Sequence, residues 1–197
     1  MRKIGIYGSI DVGQVQDQSI DYIAVDQGVV HLHKQGIKPL CVIGDLDSLE
    51  NKSLLEELDV HVHPTQKDDT DTALAVDYAI EERYDVIDLY GVTHKRLDHF
   101  MAVLCLLQKH RDIHITIYDE YNKIYLLRKG KYRIFKDEYK YFSLFAYTDT
   151  EVTLQDCHYP LDQYLLKSDD PLCVSNQMNE DHAYVEVNQD ILFIQSR

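Results

Sequence analysis

Pro39-Leu40-Cys41-Val42-Ile43-Gly44-Asp45-Leu46-Asp47-Ser48 is the stretch that settles how the chain is built. A short, β-rich apolar run breaks off at a glycine and gives way to two carboxylates. The same figure recurs along the first part of the chain. Residues 22–25 run into Asp26-Gln27-Gly28. Residues 60–62 lead through His63-Pro64-Thr65-Gln66 into Lys67-Asp68-Asp69-Thr70-Asp71. Residues 86–90 run into Gly91 and then Arg96-Leu97-Asp98-His99. Apolar runs at 3–7 and 113–117 complete the set. Between the runs lie stretches of helical spacing: 29–35, 49–58, 72–83 with Leu74, Ala75, Tyr78 and Ala79, and 97–109 with Leu97, Met101, Leu104 and Cys105 on one face. Strands alternating with helices predict an open, mostly parallel α/β sheet with helices on both faces.

After Tyr118 the helical spacing disappears. Alternating or aromatic runs follow at 123–127, 131–135, 141–146, 152–154, 172–175, 183–187 and 191–195. Turn-like pieces such as Arg128-Lys129-Gly130 and Asn188-Gln189-Asp190 separate them. This pattern predicts an antiparallel β-sandwich or partial barrel. The expected organisation is therefore α/β plus all-β: a Rossmann-like sheet over 1–120 and a β-sandwich over 121–197.

Composition narrows the functions available. Apolar residues make up 45% of the 197, enough for a real core. The net charge of −14 speaks against nucleic acid as a partner, because that needs a basic footprint. No apolar run reaches the length of a bilayer span, and the polar turn at Asp11 cuts the first run too short for a signal-peptide core. The expectation is a cytoplasmic protein without a membrane partner. Cys41, Cys105, Cys157 and Cys173 form no C-x-x-C pair, so they read as small apolar residues rather than a zinc or disulfide framework.

In open α/β sheets, ligands bind beyond the carboxyl ends of the strands. Here the carboxylates gather at that edge, where their mutual repulsion calls for a cation. Asp45 and Asp47, two apart in an extended segment, face one side. Such hard oxygen donors suit Mg²⁺, which takes its remaining ligands from water and substrate phosphates. Asp71 and Asp98 each fall in the first turn of an expected helix, which also complements the helix dipole. Lys67 and Arg96 supply opposite charge, either to pair with neighbouring aspartates or to hold phosphate oxygens. Gly8-Ser9 after the first strand leaves room for a nucleotide. Neither G-x-x-x-x-G-K-[ST] nor G-x-G-x-x-G occurs. His61 and His63 form an H-x-H pair, which on a strand reads as structural or exposed rather than as a transition-metal site.

Taken in order, these motifs resemble the thiamine pyrophosphokinase family. Asp26-Gln27-Gly28 is similar to its D-G-G, Gly44-Asp45-Leu46-Asp47-Ser48 to G-D-[FL]-D-S, and Lys67-Asp68-Asp69-Thr70-Asp71 to K-D-x-T-D. Gly91 with Arg96-Leu97-Asp98-His99 resembles G-x-x-G-G-R-x-D-H. Tyr159-Pro160-Leu161 and Ser175-Asn176 resemble Y-P-L and S-N-E. The resemblance implies a homodimer with a composite thiamine site at its interface. It also implies transfer of a pyrophosphoryl group from ATP to the thiamine hydroxyl, with AMP leaving. Carried over by motif, Asp45, Asp47 and Asp71 would hold Mg²⁺. Asp26, Asp45, Lys67, Asp68 and Arg96 would contact the nucleotide. Asp98, Asp71 and Arg96 would serve the chemistry, with Asp98 accepting the hydroxyl proton, and Ser175 and Asn176 would contact thiamine.

Three departures stand out. His94-Lys95 replaces Gly-Gly, which implies a locally different loop and brings it a cation. Gln27 replaces a glycine. The chain has no tryptophan to stack on the pyrimidine, leaving Met178 or a tyrosine for that place. Two other readings remain open on the sequence: a different Mg²⁺-dependent pyrophosphotransferase or nucleotide hydrolase on the same scaffold, and a non-catalytic thiamine-binding protein. The acidic cluster argues against the last.

Overall fold

A computed structural model describes residues 1–44, 46, 49, 52–56, 58–62 and 70–197. They fall into two compact units, Met1–Glu120 and Tyr121–Arg197. The first unit runs β1 (Lys3–Tyr7), β2 (Asp21–Val25), α1 (Gly28–Lys34), β3 (Cys41–Gly44), a 3₁₀ turn (Lys52–Leu55), β4 (Asp59–Val62), α2 (Asp71–Glu81), β5 (Val86–Tyr90), α3 (Leu97–Lys109) and β6 (His114–Tyr118). The strands are all parallel, in the order β4-β3-β2-β1-β5-β6. The chain steps outward from β1 to β4, then resumes on the other side of β1. The order reverses between β1 and β5, and that is where such a sheet opens a crevice. Strands covered on both faces read as unbroken apolar runs. Accordingly, every residue of β3 and all but the first of β1, β2 and β5 are buried.

Tyrosines do an unusual share of this packing. Tyr7, Tyr22 and Tyr90 are fully buried, and the Tyr7–Tyr90 and Tyr90–Tyr118 rings stack at 5.8 and 5.5 Å. Buried hydroxyls need partners, and these find them in the long β1–β2 connection. Tyr7 Oη donates to the Gly13 carbonyl at 3.0 Å and accepts from the Val12 N–H at 3.1 Å. Tyr90 Oη accepts from the Gln16 N–H at 3.1 Å, and Tyr22 Oη donates to the Asp17 carbonyl at 2.6 Å. The connection thus stays ordered without a helix.

Beneath it lies a buried charge. Asp88, on β5, meets Lys3 Nζ at 2.7 Å. Burial pushes the Asp88 carboxyl up, against the opposing pull of Lys3.

The helices are rotated from the expected faces. α3 buries Val103, Leu106 and Leu107, whereas Leu97 is 74% and Met101 58% exposed and Cys105 is exposed. α2 buries Ala73 and Val76 beside the expected Ala75 and Ala79, with Leu74 and Tyr78 only partly covered. Of the helix expected at 49–58, the described residues contain only the 3₁₀ turn. No helix among the described residues is long and apolar enough to cross a membrane.

The second unit comprises β7 (Asn122–Leu127), β8 (Gly130–Phe135), β9 (Tyr141–Ala146), β10 (Thr150–Gln155), β11 (Leu161–Leu166), β12 (Asn176–Gln177), β13 (His182–Val187) and β14 (Ile191–Ser196). Antiparallel pairing gives one sheet β12-β9-β14-β7 and another β11-β10-β13-β8. Their inner faces share one core, with Phe142, Leu144 and Phe193 against Val152, Leu154 and Val185. The fold class is the expected one, an α/β sheet followed by a β-sandwich. Three elements differ. The strand expected at 172–175 is a turn, the two-residue β12 follows it, and β11 forms an edge of the second sheet. β11 escapes a reading by alternation because Asp162 and Gln163 interrupt it, Gln163 sits at φ 47° and the register slips between Val152 and Leu154.

Two measurements test this account. A Cβ on Gly28 would lie 1.8 Å from the Tyr7 carbonyl oxygen, whereas Gly36, at φ +72°, has nothing within 4 Å. Gly28→Ala is expected to cost about 3 kcal/mol of unfolding free energy and Gly36→Ala about 1 kcal/mol. Equal losses in urea titrations would refute the close packing of α1 on β1. For Asp88, a raised native pKa means a contribution that is full below the ordinary carboxylate value of about 3.9 and lost as pH rises through the native value. The stability of the parent protein relative to Asp88→Asn should therefore fall from pH 4 upward. A difference that rises with pH would mean the Lys3 pairing outweighs burial.

Candidate functional site

The site begins where two backbones touch. Beyond β1 and β5, the Gly8 N–H donates to the Tyr90 carbonyl at 2.7 Å and the Ile10 N–H to the Gly91 carbonyl at 3.1 Å. Gly91 sits at φ +66°, and a Cβ there would lie 2.4 Å from the Ile10 carbonyl oxygen. Only glycine fits. Over this floor opens a cavity of about 670 Å³, lined among others by Ser9, Asp26, Asp71, Lys95, Arg96 and His99.

Asp26 follows β2 at φ 49°, its N–H donating to the Ile43 carbonyl at 3.0 Å. Ser9 Oγ donates to its Oδ2 at 3.5 Å. Its Oδ1 fills the space a Cβ on Gly44 would take, 1.9 Å away. The glycine ending β3 thus makes room for the carboxylate ending β2. Asp71 is the first residue of α2, whose start is fixed by Thr70: its Oγ1 accepts from the Ala73 N–H at 3.2 Å. The half-buried carboxylate faces the cavity at the positive end of the helix dipole.

Asp45, Asp47, Lys67 and Asp68 lie outside the described residues, as does His63. Among the described residues no three His, Cys, Asp or Glu side chains group closely enough to hold a metal ion. Asp26 and Asp71, the carboxylates described here that come from motif positions, both line the cavity and have the hard oxygen character that Mg²⁺ requires.

Arg96 and Asp98 meet each other. Arg96 Nε donates to Asp98 Oδ1 at 3.2 Å and Nη2 to Oδ2 at 2.5 Å, with both side chains about two-thirds exposed (66% and 64%). The hydrogen bond and charge raise the guanidinium pKa and lower that of the carboxylate. While this pair holds, Asp98 is a weaker proton acceptor than an ordinary aspartate, and Arg96 rather than Asp98 lines the cavity.

The preceding loop departs from expectation in a specific way. His94 and Lys95 adopt φ 76° and 59°, torsions that glycine takes freely. A chain with side chains holds them at a cost of about 1–2 kcal/mol per residue. The loop thus pairs glycine-like torsions with two polar side chains.

Several lining residues were not legible beforehand. His31 on α1 reaches the Ser9 carbonyl through Nε2 at 3.2 Å and Asp11 through Nδ1 at 3.4 Å. Both line the cavity, and neither carries a spacing signal.

In the second unit, Ser175 and Asn176 line a separate cavity of about 440 Å³ with Tyr159, Leu161 and Leu172. Ser175 is exposed. Asn176 is 3% exposed and committed to the protein. Its Oδ1 accepts from the Tyr159 N–H at 3.1 Å and the Gln177 N–H at 2.9 Å. Its Nδ2 donates to the Tyr159 carbonyl at 2.9 Å and to Cys157 Sγ at 3.5 Å. That occupies the amide: Asn176 clamps the Tyr159 backbone, and a side-chain contact with thiamine would have to replace one of these bonds. Met178 is withdrawn as a stacking residue, because it is buried in the sandwich core. The exposed aromatic ring at this cavity is Tyr159.

With this geometry in view, comparison with known proteins is informative. Residues 12–118 match the family model described as thiamin pyrophosphokinase, catalytic domain, and residues 131–192 the one described as thiamin pyrophosphokinase, vitamin B1 binding domain. A thiamine pyrophosphokinase of Bacillus subtilis (strain 168) is 35% identical over 177 residues, 85% of this chain and 83% of that protein. The crystal structure of thiamine pyrophosphokinase from Bacillus subtilis has a TM-score of 0.88 at 29% identity, covering 99% of each chain. Thiamin pyrophosphokinase from Candida albicans, at 13% identity, reaches 0.79 over 99% of this chain and 90% of that one, a likeness of fold alone.

Asn176→Ala should lower unfolding free energy by about 1–3 kcal/mol, because it leaves buried backbone groups of Tyr159 unpaired. An unchanged denaturant midpoint would return Asn176 to the role of a ligand contact.

Proposed function

The chain belongs to the thiamin pyrophosphokinase family, and we propose that it transfers a pyrophosphoryl group from ATP to the hydroxyl of thiamine, releasing thiamine diphosphate and AMP. The observation that carries this reading is the cavity at the sheet's reversal point, where carboxylates and cations converge on one opening. Phosphoryl-type transfer consists largely of positioning and of stabilising charge on oxygen, and such a lining supplies both. The thiamine oxygen forms a bond to the β-phosphorus, the bond from that phosphorus to the α-phosphate oxygen breaks, and the hydroxyl proton leaves.

Asp71, with Asp45 and Asp47, would hold Mg²⁺, which when bound neutralises phosphate charge. Asp26, Asp45, Lys67, Asp68 and Arg96 would orient the nucleotide. Arg96 and Asp98 are linked in this scheme. When the guanidinium turns to a phosphate, the carboxylate loses the hydrogen bond that holds its pKa down and becomes a better acceptor for the hydroxyl proton. Thiamine would meet the exposed Ser175 and the ring of Tyr159. The assembly is read as a homodimer, with exposed Leu97 and Met101 as apolar surface suited to cover.

The test is a product assay with purified protein, Mg²⁺, ATP and thiamine. Equal amounts of thiamine diphosphate and AMP are expected, and neither without Mg²⁺. Asp71→Ala should retain its fold by circular dichroism while turnover falls about 100-fold or more. AMP or ADP formed without thiamine diphosphate would overturn the substrate assignment, and full turnover in Asp71→Ala would overturn the metal assignment.

A further inference from the structure

We propose that Lys95 is a nucleotide-binding cation of this protein, contacting the phosphate chain of the nucleotide. The proposal rests on the reading of the cavity as the nucleotide site. Three consecutive polar side chains, His94, Lys95 and Arg96, line its rim. The two outer ones are held by the protein. His94 Nδ1 lies 2.7 Å from Oγ1 of Thr93, a residue only 5% exposed, which ties the ring back to the core. Arg96 is engaged by Asp98 through both oxygens. Lys95 has no ion-pair or hydrogen-bond partner among the described residues and is exposed.

Of the lining residues that are described, Lys95 and Arg96 are the lysine and arginine, set against Asp11, Asp26 and Asp71. The charge of Arg96 is already matched, so Lys95 carries the uncommitted positive charge. An anionic ligand entering this acidic cavity gains most from such a group, since no existing pair has to break.

The backbone points the same way. The Arg96 N–H donates to the His94 carbonyl at 2.9 Å, closing a tight turn with left-handed torsions at both 94 and 95. Glycine would relax that turn at no steric cost. A lysine kept where its own backbone is strained is a side chain with work to do, and strain of this kind gathers at ligand clamps. The turn also fixes where the long side chain starts, so less of its freedom is lost on binding.

The test compares Lys95→Gly, Lys95→Met and Lys95→Arg in the full-length protein. Glycine removes the charge and relaxes the turn, methionine removes the charge and keeps the strain, and arginine keeps both. MgATP binding is measured by calorimetry without thiamine, and steady-state KM is measured for ATP and for thiamine. Glycine and methionine should each weaken MgATP binding and raise the ATP KM about tenfold, the scale of one charge-assisted hydrogen bond. The thiamine KM should move less than about twofold on the same scale, and arginine should restore most of the affinity. MgATP affinity unchanged in Lys95→Met would overturn the proposal. So would a loss confined to Lys95→Met and absent in Lys95→Gly, which would locate the effect in the turn. A parent protein that binds MgATP through Lys95 but makes no thiamine diphosphate would leave this inference standing and overturn the proposed reaction instead.

Discussion

The close approach of two loop backbones, after β1 and after β5, is the constraint on which the site depends. Gly8 and Gly91 allow it because neither presents a side chain to the other. A methyl group at position 91 would drive the Ile10 carbonyl away and lift the β1–β2 connection into the cavity above. That connection is anchored from the opposite side by the hydroxyls of Tyr7, Tyr22 and Tyr90. The space over the sheet is therefore made by subtraction at the rim and by polar anchoring beneath.

Around that space the charges differ in how firmly they are held. Two of the carboxylates come from positions set by secondary structure. Asp26 sits against Gly44 at the end of β2, and Asp71 is in the capped first turn of α2. Among the described residues the lysine and arginine of the lining come from the exposed segment between β5 and α3, where Arg96 has a carboxylate partner and Lys95 has none. A cavity lined by both carboxylates and cations suits a ligand that itself carries a metal and phosphates, because each finds the charge it lacks.

The sequence disclosed the sheet well, because strands buried on both faces leave unbroken apolar runs and this fold puts polar ligands just after them. It misled on α3 for a physical reason. Leu97, Met101, Leu104 and Cys105 repeat with the same spacing as Val103, Leu106 and Leu107, and periodicity alone does not say which of two apolar stripes faces inward. β11 was hidden by a bulge that breaks alternation. The S-N motif implies a ligand contact at Asn176 and gives no sign of its partners at Cys157 and Tyr159, which adjoin it only once the chain is folded. The 94–95 turn was opaque for another reason: non-glycine residues there give no sign of left-handed torsions. Asp45, Asp47, Lys67 and Asp68, by contrast, are known from the sequence alone.

The tyrosine stack also gives the molecule an optical identity. With fifteen tyrosines and no tryptophan, its ultraviolet emission comes from phenol rings with no indole to drain their excitation. Tyr7 and Tyr90 close the strands immediately before Gly8 and Gly91, whose backbones meet at the cavity floor. A ligand that shifts that floor acts on the backbone next to chromophores native to the chain, which need no dye or introduced label to be watched.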